Sequence, residues 1–165
     1  IGYGDIGRKV AQLARAFDMN VVTYTRSPEK VTDGTNVCSL EQLLICSDVV
    51  SLHCPLTEEN ARMINADTLK LMKPTALFVN TARGGLVDEH ALTEALNNDQ
   101  IAGACIDVLT FEPMQENCPL RKAKNCTITP HIAWAPKETR EHLLEKVAEN
   151  IKCWLEGKPI NVVNK

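Results

Sequence analysis

The chain begins with Ile1 and runs directly into a glycine-rich segment, Gly2-Tyr3-Gly4-Asp5-Ile6-Gly7. Apolar residues then recur at helical spacing through residue 17, and a compact, β-branched strand candidate follows over residues 19–24. A GxGxxG segment is a weak signal alone, and its value depends on such a βαβ setting. Only Ile1 is left of the strand that should precede the turn, so we expect a truncated first strand and a cut upstream segment.

Each glycine of this segment has an expected role. Gly2 permits the tight turn, Gly4 lets a pyrophosphate approach the backbone, and Gly7 lets the helix pack close to the sheet. The phosphates would rest on the backbone N–H groups of Asp5 and Ile6 at the helix start. The alternative is a glycine-rich turn between strand and helix that binds no ligand.

Strand and helix patterns alternate along the rest of the chain, which predicts an α/β fold with a doubly wound parallel sheet. Further strands are predicted over residues 48–52, 76–81, 101–107 and 126–130, and residues 25–38 are predicted to be loop. Helices are predicted from a Ser39–Gln42 capping box to Cys46, over 58–64 and 66–72, after an Asp88 cap, and from Pro136 to Gly157.

Composition excludes several function classes. The chain has 165 residues, 44% of them apolar, and a net charge of -3, so it has no general attraction for nucleic acid or an anionic membrane. No apolar run approaches the about 20 residues that span a bilayer. Seven cysteines without a CxxC pair argue against a disulfide framework or a zinc site, which favours a cytoplasmic location and no bound metal.

Three polar residues follow three of the predicted strands. Arg83 comes after residues 76–81, Glu112 after 101–107, and His131 directly after 126–130. In a parallel sheet these side chains emerge at the carboxyl-end edge, where open α/β sheets bind ligands. A cation, a carboxylate and an imidazole there can hold an anionic substrate and move a proton. Each residue alone could equally be a surface cation, a turn residue or a core histidine.

The end of the second strand bears on cofactor choice. An acidic residue there would bind the ribose 2′-OH of NAD, but this chain has Thr25, Arg26 and Ser27. Thr25 removes the repulsion that a 2′-phosphate would meet, and Arg26 with Ser27 can bind that phosphate. We therefore expect NADP or NAD, with NADP slightly favoured. The alternative for Arg26 is a solvated loop arginine.

Three ordered motifs resemble the D-isomer-specific 2-hydroxyacid dehydrogenases, most closely their glycerate dehydrogenase/hydroxypyruvate reductase branch. They are Asn80-Thr81-Ala82-Arg83-Gly84-Gly85-Leu86-Val87-Asp88-Glu89, Asp107-Val108-Leu109-Thr110-Phe111-Glu112-Pro113 and Thr129-Pro130-His131-Ile132-Ala133-Trp134-Ala135. The resemblance covers the whole chain and implies a Rossmann-type domain over residues 1–157. Residues 158–165 would be a strap towards a substrate domain that is missing from this chain.

The resemblance implies a catalytic role for each of the three polar residues. Arg83 would bind the carboxylate and carbonyl of a 2-oxoacid, a task suited to a planar guanidinium. His131 would donate a proton to the carbonyl oxygen during reduction and act as base in reverse. Glu112 would orient the imidazole and favour its protonated form.

The resemblance also implies cofactor contacts beyond the glycine turn. Cys54 and Pro55 would border the nicotinamide side of the cofactor, and Asp107 would contact its carboxamide. Thr81 and Ala82 would offer backbone contacts, and Ala133 would allow close approach. The role of His53 stays open between cofactor binding and structure, and that of Trp134 between substrate contact and an interface or core aromatic. His90 and His142 are expected to face solvent.

The family analogy favours hydroxypyruvate or glyoxylate as substrate and a homodimer as assembly. Two alternatives stay open at this point. One is a phosphoglycerate or D-lactate dehydrogenase of the same architecture. The other is a non-enzymatic, dinucleotide-sensing scaffold of the corepressor kind.

Overall fold

Strands and helices alternate in the structure, a computed structural model that describes residues 1–163. The helices are α1 (Asp5–Ala16), α2 (Leu40–Cys46), α3 (Ala66–Leu69), α4 (Glu89–Asn97) and α5 (Lys137–Leu155). The strands are β1 (Val22–Thr23), β2 (Asn36–Val37), β3 (Val49–Leu52), β4 (Leu77–Asn80), β5 (Gly103–Ile106) and β6 (Cys126–Ile128). The chain divides into two compact units, Ile1–Pro130 and His131–Lys165.

The first unit is built on parallel strands. β3, β4, β5 and β6 pair in that order, and β1 pairs with β2. The first two residues link the two sets, since the backbone N–H of Gly2 donates to the Tyr24 carbonyl and that of His53 to the Ile1 carbonyl, both at 2.8 Å. Ile1 thus occupies the position between the end of β1 and β3. The predicted parallel α/β sheet is confirmed.

The core of this unit lies where α2, α3 and α4 meet the sheet. Val50, Leu52 and Phe78 are buried strand residues. Burial of each side chain stabilises the fold by about 1.5–3 kcal/mol relative to its exposure to water. The helices contribute further fully buried side chains: Leu44 from α2, Leu69 from α3, and Leu92 and Leu96 from α4.

Two helix starts predicted from sequence are confirmed by their hydrogen bonds. Ser39 Oγ accepts from the backbone N–H of Gln42, and the Gln42 side chain accepts in return from Ser39, which completes a capping box. Asp88 accepts from the backbone N–H groups of His90 and Ala91 at the start of α4. Such caps stabilise a helix by about 1 kcal/mol because they satisfy otherwise unpaired donors.

Two local predictions are wrong. Residues 58–64 form turns and an isolated bridge, Ile64 with Val87, where a helix was expected. Asn60 explains this, because its side chain accepts from the Thr57 backbone at 2.7 Å and donates to the Pro55 carbonyl at 2.8 Å. Polar side chains that bond to nearby backbone favour turns over helix. Residues 25–38 are not only loop, since β2 lies within them.

In the second unit, α5 begins after Pro136 and is followed by Gly157 in a left-handed conformation (φ 72°), as the sequence predicted. Its apolar side chains are exposed: Leu143, Leu144, Val147, Ile151 and Trp154. His90 and His142 are also exposed, as expected. Within residues 1–163, no helix has the length and apolar character required to cross a membrane.

Candidate functional site

The glycine turn brings backbone segments together more closely than any side chain would allow. Gly2 has φ +87°, and a Cβ added to it would lie 2.8 Å from the backbone atoms joining His53 to Cys54. A Cβ at Gly7 would lie 2.2 Å from the Gly2 carbonyl oxygen, so α1 starts directly against the turn. A Cβ at Gly4 would meet no described atom within 4 Å. The turn is therefore closed on the sheet side and open at Gly4.

The start of α1 fits an anion. Its N-cap residue is Gly4, and no side chain within residues 1–163 caps it. Asp5 does not oppose an anion at close range, because its carboxylate is fully exposed and pairs with Arg8 at 3.2 Å. Backbone N–H groups and the helix dipole at such an end favour negative charge.

A cavity of about 290 Å³ adjoins this turn. Residues predicted to bind the cofactor line it together: Gly2, Gly4, Thr25, Arg26, Ser27, Cys54 and Pro55. Three separate chain segments thus meet around one space of the size that small-molecule sites have. The other predicted cofactor residues, Asp5, Ile6, Gly7, Thr81, Ala82, Asp107 and Ala133, are not among its lining.

An acidic residue that the sequence reasoning missed lies at this cavity. Glu59 Oε2 is 3.7 Å from Arg26 Nη1, and both side chains are largely exposed. The Ser27 backbone N–H is held at 3.3 Å by the Thr25 hydroxyl. The arginine proposed for a 2′-phosphate therefore has a competing carboxylate across the cavity, although an exposed pair of this kind is weak.

His53 lies beside the turn with a buried imidazole. Neither ring nitrogen has a hydrogen-bond partner within residues 1–163. Burial lowers the pKa of His53 to about 4. At neutral pH this ring is uncharged, so it cannot serve as a cationic partner for a phosphate.

Side chains of the sheet hold the segment that carries Arg83. Asn80, which is buried at the end of β4, accepts from the Ala82 backbone N–H at 3.0 Å and donates to the Arg83 carbonyl at 3.0 Å. The Arg83 side chain is exposed, and its Nη1 donates to the Ala82 carbonyl at 2.6 Å. Asn80 was not singled out from sequence, although a buried asparagine at a strand end is typical of a side chain that fixes a turn.

The segments that carry Arg83 and Glu112 touch through their backbones. A Cβ added to Gly84 would lie 2.0 Å from the Leu109 carbonyl carbon and 2.3 Å from the Thr110 nitrogen. No Cβ fits at such distances, so glycine is required here for proximity rather than for an unusual φ. The structure therefore brings these two predicted catalytic segments together.

The Glu112 carboxylate is fixed within its own turn. Its Oε1 accepts from the Leu109 backbone N–H at 2.9 Å. Asp107, directly after β5, is 5% exposed, and the Thr129 hydroxyl donates to its carboxylate. Asp107 and the turn that contains Glu112 thus both follow the carboxyl end of β5.

His131 opens the second unit. Its φ is 54°, its side chain is exposed, and its carbonyl accepts from the Trp134 indole N–H at 2.8 Å. The backbone N–H of Ala135 donates to the Ile132 carbonyl at 2.9 Å. These contacts form a tight turn between His131 and the start of α5.

Cys54 and Cys126 do not show the features of catalytic thiols. Burial raises the pKa of Cys126 to about 11, with Cys105 and Cys118 as smaller causes, and burial also raises the pKa of Cys54. A nucleophilic cysteine requires the opposite shift.

The sequence profile described as "D-isomer specific 2-hydroxyacid dehydrogenase, NAD binding domain" matches residues 1–133. The chain belongs to this family. Its parallel sheet is the Rossmann-like framework of the family's NAD-binding domain. The resemblance drawn from the three sequence motifs is thereby confirmed.

Individual family members support this assignment. The chain is 41% identical over 167 residues to hydroxypyruvate reductase from Blautia hydrogenotrophica, covering 100% of this chain and 52% of the relative. It is 44% identical over 165 residues to glycerate dehydrogenase from Methylorubrum extorquens, covering 99% and 51%. An NADPH-dependent glyoxylate/hydroxypyruvate reductase from Sinorhizobium meliloti, solved with NADP and malonate, superposes with a TM-score of 0.87 at 31% identity, covering 98% and 51%. The chain thus spans about half the length of the relatives it matches.

Proposed function

We propose that the protein containing this chain is an NAD(P)H-dependent reductase of 2-oxoacids, with hydroxypyruvate or glyoxylate as favoured substrate and the D-2-hydroxyacid as product. One observation carries the proposal: in a chain of this family, the segment bearing Arg83 and the segment bearing Glu112 are in direct backbone contact at Gly84. Hydroxypyruvate reductase and glycerate dehydrogenase among the relatives support the substrate class.

Arg83, Glu112 and His131 are the proposed catalytic residues. Arg83 is exposed on a segment fixed by Asn80, so its guanidinium is available to pair two-pronged with a substrate carboxylate. His131 gives a proton to the carbonyl oxygen of the oxoacid as hydride arrives, and it takes the proton back in the reverse reaction. Glu112 favours the protonated imidazole and sets its orientation.

The proposed cofactor site starts at the glycine turn. The open position at Gly4 and the N–H groups of Asp5 and Ile6 suit a diphosphate, and Gly7 keeps the helix against the turn. When bound, a nicotinamide dinucleotide supplies the hydride. On the family analogy, Cys54 and Pro55 border the nicotinamide side, and Thr81, Ala82, Asp107 and Ala133 complete its surroundings.

NADP is slightly favoured over NAD in this proposal. Thr25, Arg26 and Ser27 line the cavity where an acidic residue would otherwise select the 2′-OH of NAD. The Glu59 carboxylate near Arg26 works against a 2′-phosphate. The NADP-bound Sinorhizobium structure supports NADP, whereas the family is described by NAD binding.

The wider organisation is also proposed. Residues 1–157 form the dinucleotide-binding domain and 158–165 a strap towards a substrate domain; residues 164 and 165 lie outside those that the structure describes. The exposed apolar side chains of α5 support a homodimer. Free cysteines throughout residues 1–163 support a reducing, cytoplasmic location. The net charge of -3 supports a protein without nucleic-acid or membrane partners.

The test is an assay of the full-length protein that follows NADPH and NADH oxidation with a panel of 2-oxoacids. We expect the highest kcat/KM with hydroxypyruvate or glyoxylate and NADPH. Faster reduction of pyruvate or a phosphorylated hydroxypyruvate would assign a lactate or phosphoglycerate dehydrogenase. Tight dinucleotide binding without turnover of any 2-oxoacid would contradict an enzyme and favour a sensing scaffold.

A further inference from the structure

Glu89, the first residue of α4, contacts the turn that carries Glu112. Its Oε1 accepts a hydrogen bond from the Thr110 backbone N–H at 2.6 Å, and its Oε2 accepts from the Cys118 thiol at 3.9 Å. These partners lie 21 and 29 residues further along the chain. Both carboxylate oxygens of one half-buried side chain are therefore directed at the same irregular segment after β5.

The anchored peptide is next to the one that Glu112 itself holds. Leu109 donates its backbone N–H to Glu112, and Thr110 donates its own to Glu89. Two carboxylates thus bind consecutive N–H groups of a four-residue turn. Each carboxylate supplies an acceptor oxygen to one of these backbone donors, so this turn is tied at both of its early positions.

The same turn is fixed on its other side by Gly84. The gap there excludes even a methyl group, since a Cβ at Gly84 would overlap Leu109 and Thr110. The segment from Arg83 to Glu89 therefore meets the 109–112 turn twice, by backbone contact at Gly84 and by the carboxylate of Glu89. Release of either contact would weaken the connection between the two segments.

The turn also borders open space. A cavity of about 300 Å³ is lined by Glu89, Thr110, Phe111 and Cys118. Loss of the Glu89 hydrogen bond would remove a restraint on the side of the turn that faces this space. Rotation of the turn into the cavity would carry the Glu112 side chain with it.

We propose that Glu89 is a positioning residue, which holds the 109–112 turn so that the Glu112 carboxylate keeps the direction that catalysis requires. The inference rests on the proposed function, in which Glu112 orients His131. Glu89 contacts neither substrate nor cofactor in this account. It acts through the Thr110 peptide, so its hydrogen-bond acceptor matters and its charge matters less.

The test uses four variants of the full-length protein: Glu89→Ala, Glu89→Gln, Glu112→Gln and the control Glu94→Ala. Glu94 is a glutamate on the same helix, and its side chain is exposed. The readouts are kcat and KM for the oxoacid, the Kd of NADPH, the exchange rate of the Thr110 amide proton and the melting temperature.

We expect Glu89→Ala to lower kcat about 10-fold or more, since a displacement of about 1 Å at a catalytic group can cost about 100-fold. KM and the NADPH Kd should stay within about twofold, because Arg83 and the glycine turn are unaffected. The Thr110 amide should exchange faster. Glu89→Gln should restore most of kcat and the amide protection, and Glu94→Ala should match the unmodified protein.

Three outcomes would overturn the inference. The first is an unchanged kcat in Glu89→Ala, and the second is a fall in kcat accompanied by an equally large rise in KM and in the NADPH Kd. The third is a kcat in Glu89→Gln as low as that in Glu89→Ala. The Glu112→Gln variant distinguishes failure of the role proposed for Glu89 from failure of the role proposed for Glu112. If it loses kcat while Glu89→Ala does not, only the role of Glu89 fails. If Glu112→Gln keeps full kcat, the proposed role of Glu112 fails and that of Glu89 fails with it.

Discussion

Glycine allows two backbone segments to touch at both Gly2 and Gly84, but the two contacts differ in kind. Gly2 combines a positive φ with close packing, since a Cβ added to it would lie 2.8 Å from the His53–Cys54 peptide, and a cavity of about 290 Å³ adjoins it. Gly84 has no positive φ, and a Cβ added to it would lie 2.0 Å from the Leu109 carbonyl carbon, so no side chain fits there. The first glycine borders a cavity that we propose for the cofactor, and the second brings the two proposed catalytic segments together.

The two regions are also held differently. The glycine turn is tied by Tyr3, whose hydroxyl donates to Asp33 at 2.7 Å and bonds to Thr35 at 2.6 Å. The segments that carry Arg83 and Glu112 are held mainly by contacts with each other and by hydrogen bonds to backbone groups. Changes at the turn should therefore affect cofactor binding, whereas changes at Gly84 should affect catalysis with the cofactor still bound.

Among the glycine substitutions, the largest effect is expected from Gly84→Ala. The new Cβ must displace the Leu109–Thr110 backbone, so we predict a loss of about 100-fold or more in kcat/KM for the oxoacid, with the NADPH Kd within about threefold. Gly85→Ala is the matched control, because its Cβ would meet only the end of the flexible Leu56 side chain. If steady-state kinetics gave the same activity for Gly84→Ala and Gly85→Ala, the close contact at Gly84 would not matter for catalysis.

Next in size are Gly2→Ala and Gly4→Ala. Gly2→Ala adds strain at φ +87° and a clash with backbone, so both the melting temperature and dinucleotide affinity should fall, the latter about 10-fold. Gly4→Ala should lower affinity without lowering the melting temperature, since its Cβ enters open space. Fluorescence titration with NADPH measures the affinity. Full affinity in Gly4→Ala would show that the diphosphate does not lie against Gly4.

A smaller effect, on the stability of the fold, is expected from substitution of Asp33, which accepts a hydrogen bond from the Tyr3 hydroxyl. Hydrogen bonds from Thr35 and Tyr3 hold the pKa of Asp33 well below its ordinary value of 3.8. Because the folded pKa is depressed, ionised Asp33 stabilises the fold above that ordinary value, and this contribution is lost as pH falls through the folded pKa. Asp33→Asn should lower the melting temperature at neutral pH but not in strong acid.

Thermal unfolding across pH provides the check for Asp33. Asp67→Asn is a suitable control, because the ion pair of Asp67 with Lys70 is exposed. A melting-temperature difference that is the same for Asp33→Asn at every pH would show that the hydrogen bonds of Asp33 do not depend on its charge.

The smallest effect is expected from Glu59→Gln. Loss of the carboxylate releases Arg26, so the NADPH Kd should improve by up to about threefold while the NADH Kd stays constant; the exposed pair limits the gain. Glu58→Gln, an exposed neighbour, should change neither value. If NADH binding improved as much as NADPH binding, the effect would not involve a 2′-phosphate.

Much of the fold could be predicted from local sequence because local contacts determine it. Ser39 and Asp88 cap helices through bonds to residues two and three positions away, and these caps have clear sequence signatures. The helix expected over 58–64 failed because Asn60 binds nearby backbone instead. The strand at Asn36–Val37 was missed because two residues carry no periodic signal.

Helix patterns indicated apolar faces but not what covers them. Leu92 and Leu96 of α4 are buried, whereas Leu143 and Leu144 of α5 are exposed, although both helices read as amphipathic. Burial depends on neighbours that periodicity does not reveal.

The residues of the candidate site could be proposed from sequence, but the contacts that support them could not. Arg83 and Glu112 follow strands and could be placed at one edge from sequence alone. The supporting contacts join residues far apart in the chain or depend on turn geometry, so no sequence motif predicts them. The residues that make them are Asn80, Gly84, Glu59 and Glu89. Their roles emerge only from coordinates.

We propose that Arg83 acts on the oxoacid while the glycine turn binds the dinucleotide. Measurement of kcat/KM for hydroxypyruvate and of the Kd of NADPH in full-length Arg83→Ala tests this division of roles. We expect a loss of about 1,000-fold in kcat/KM, in the range expected for removal of a charged group that stabilises a transition state, with an NADPH Kd within about twofold. Near-normal turnover, or loss of NADPH binding in a variant that remains folded, would contradict it.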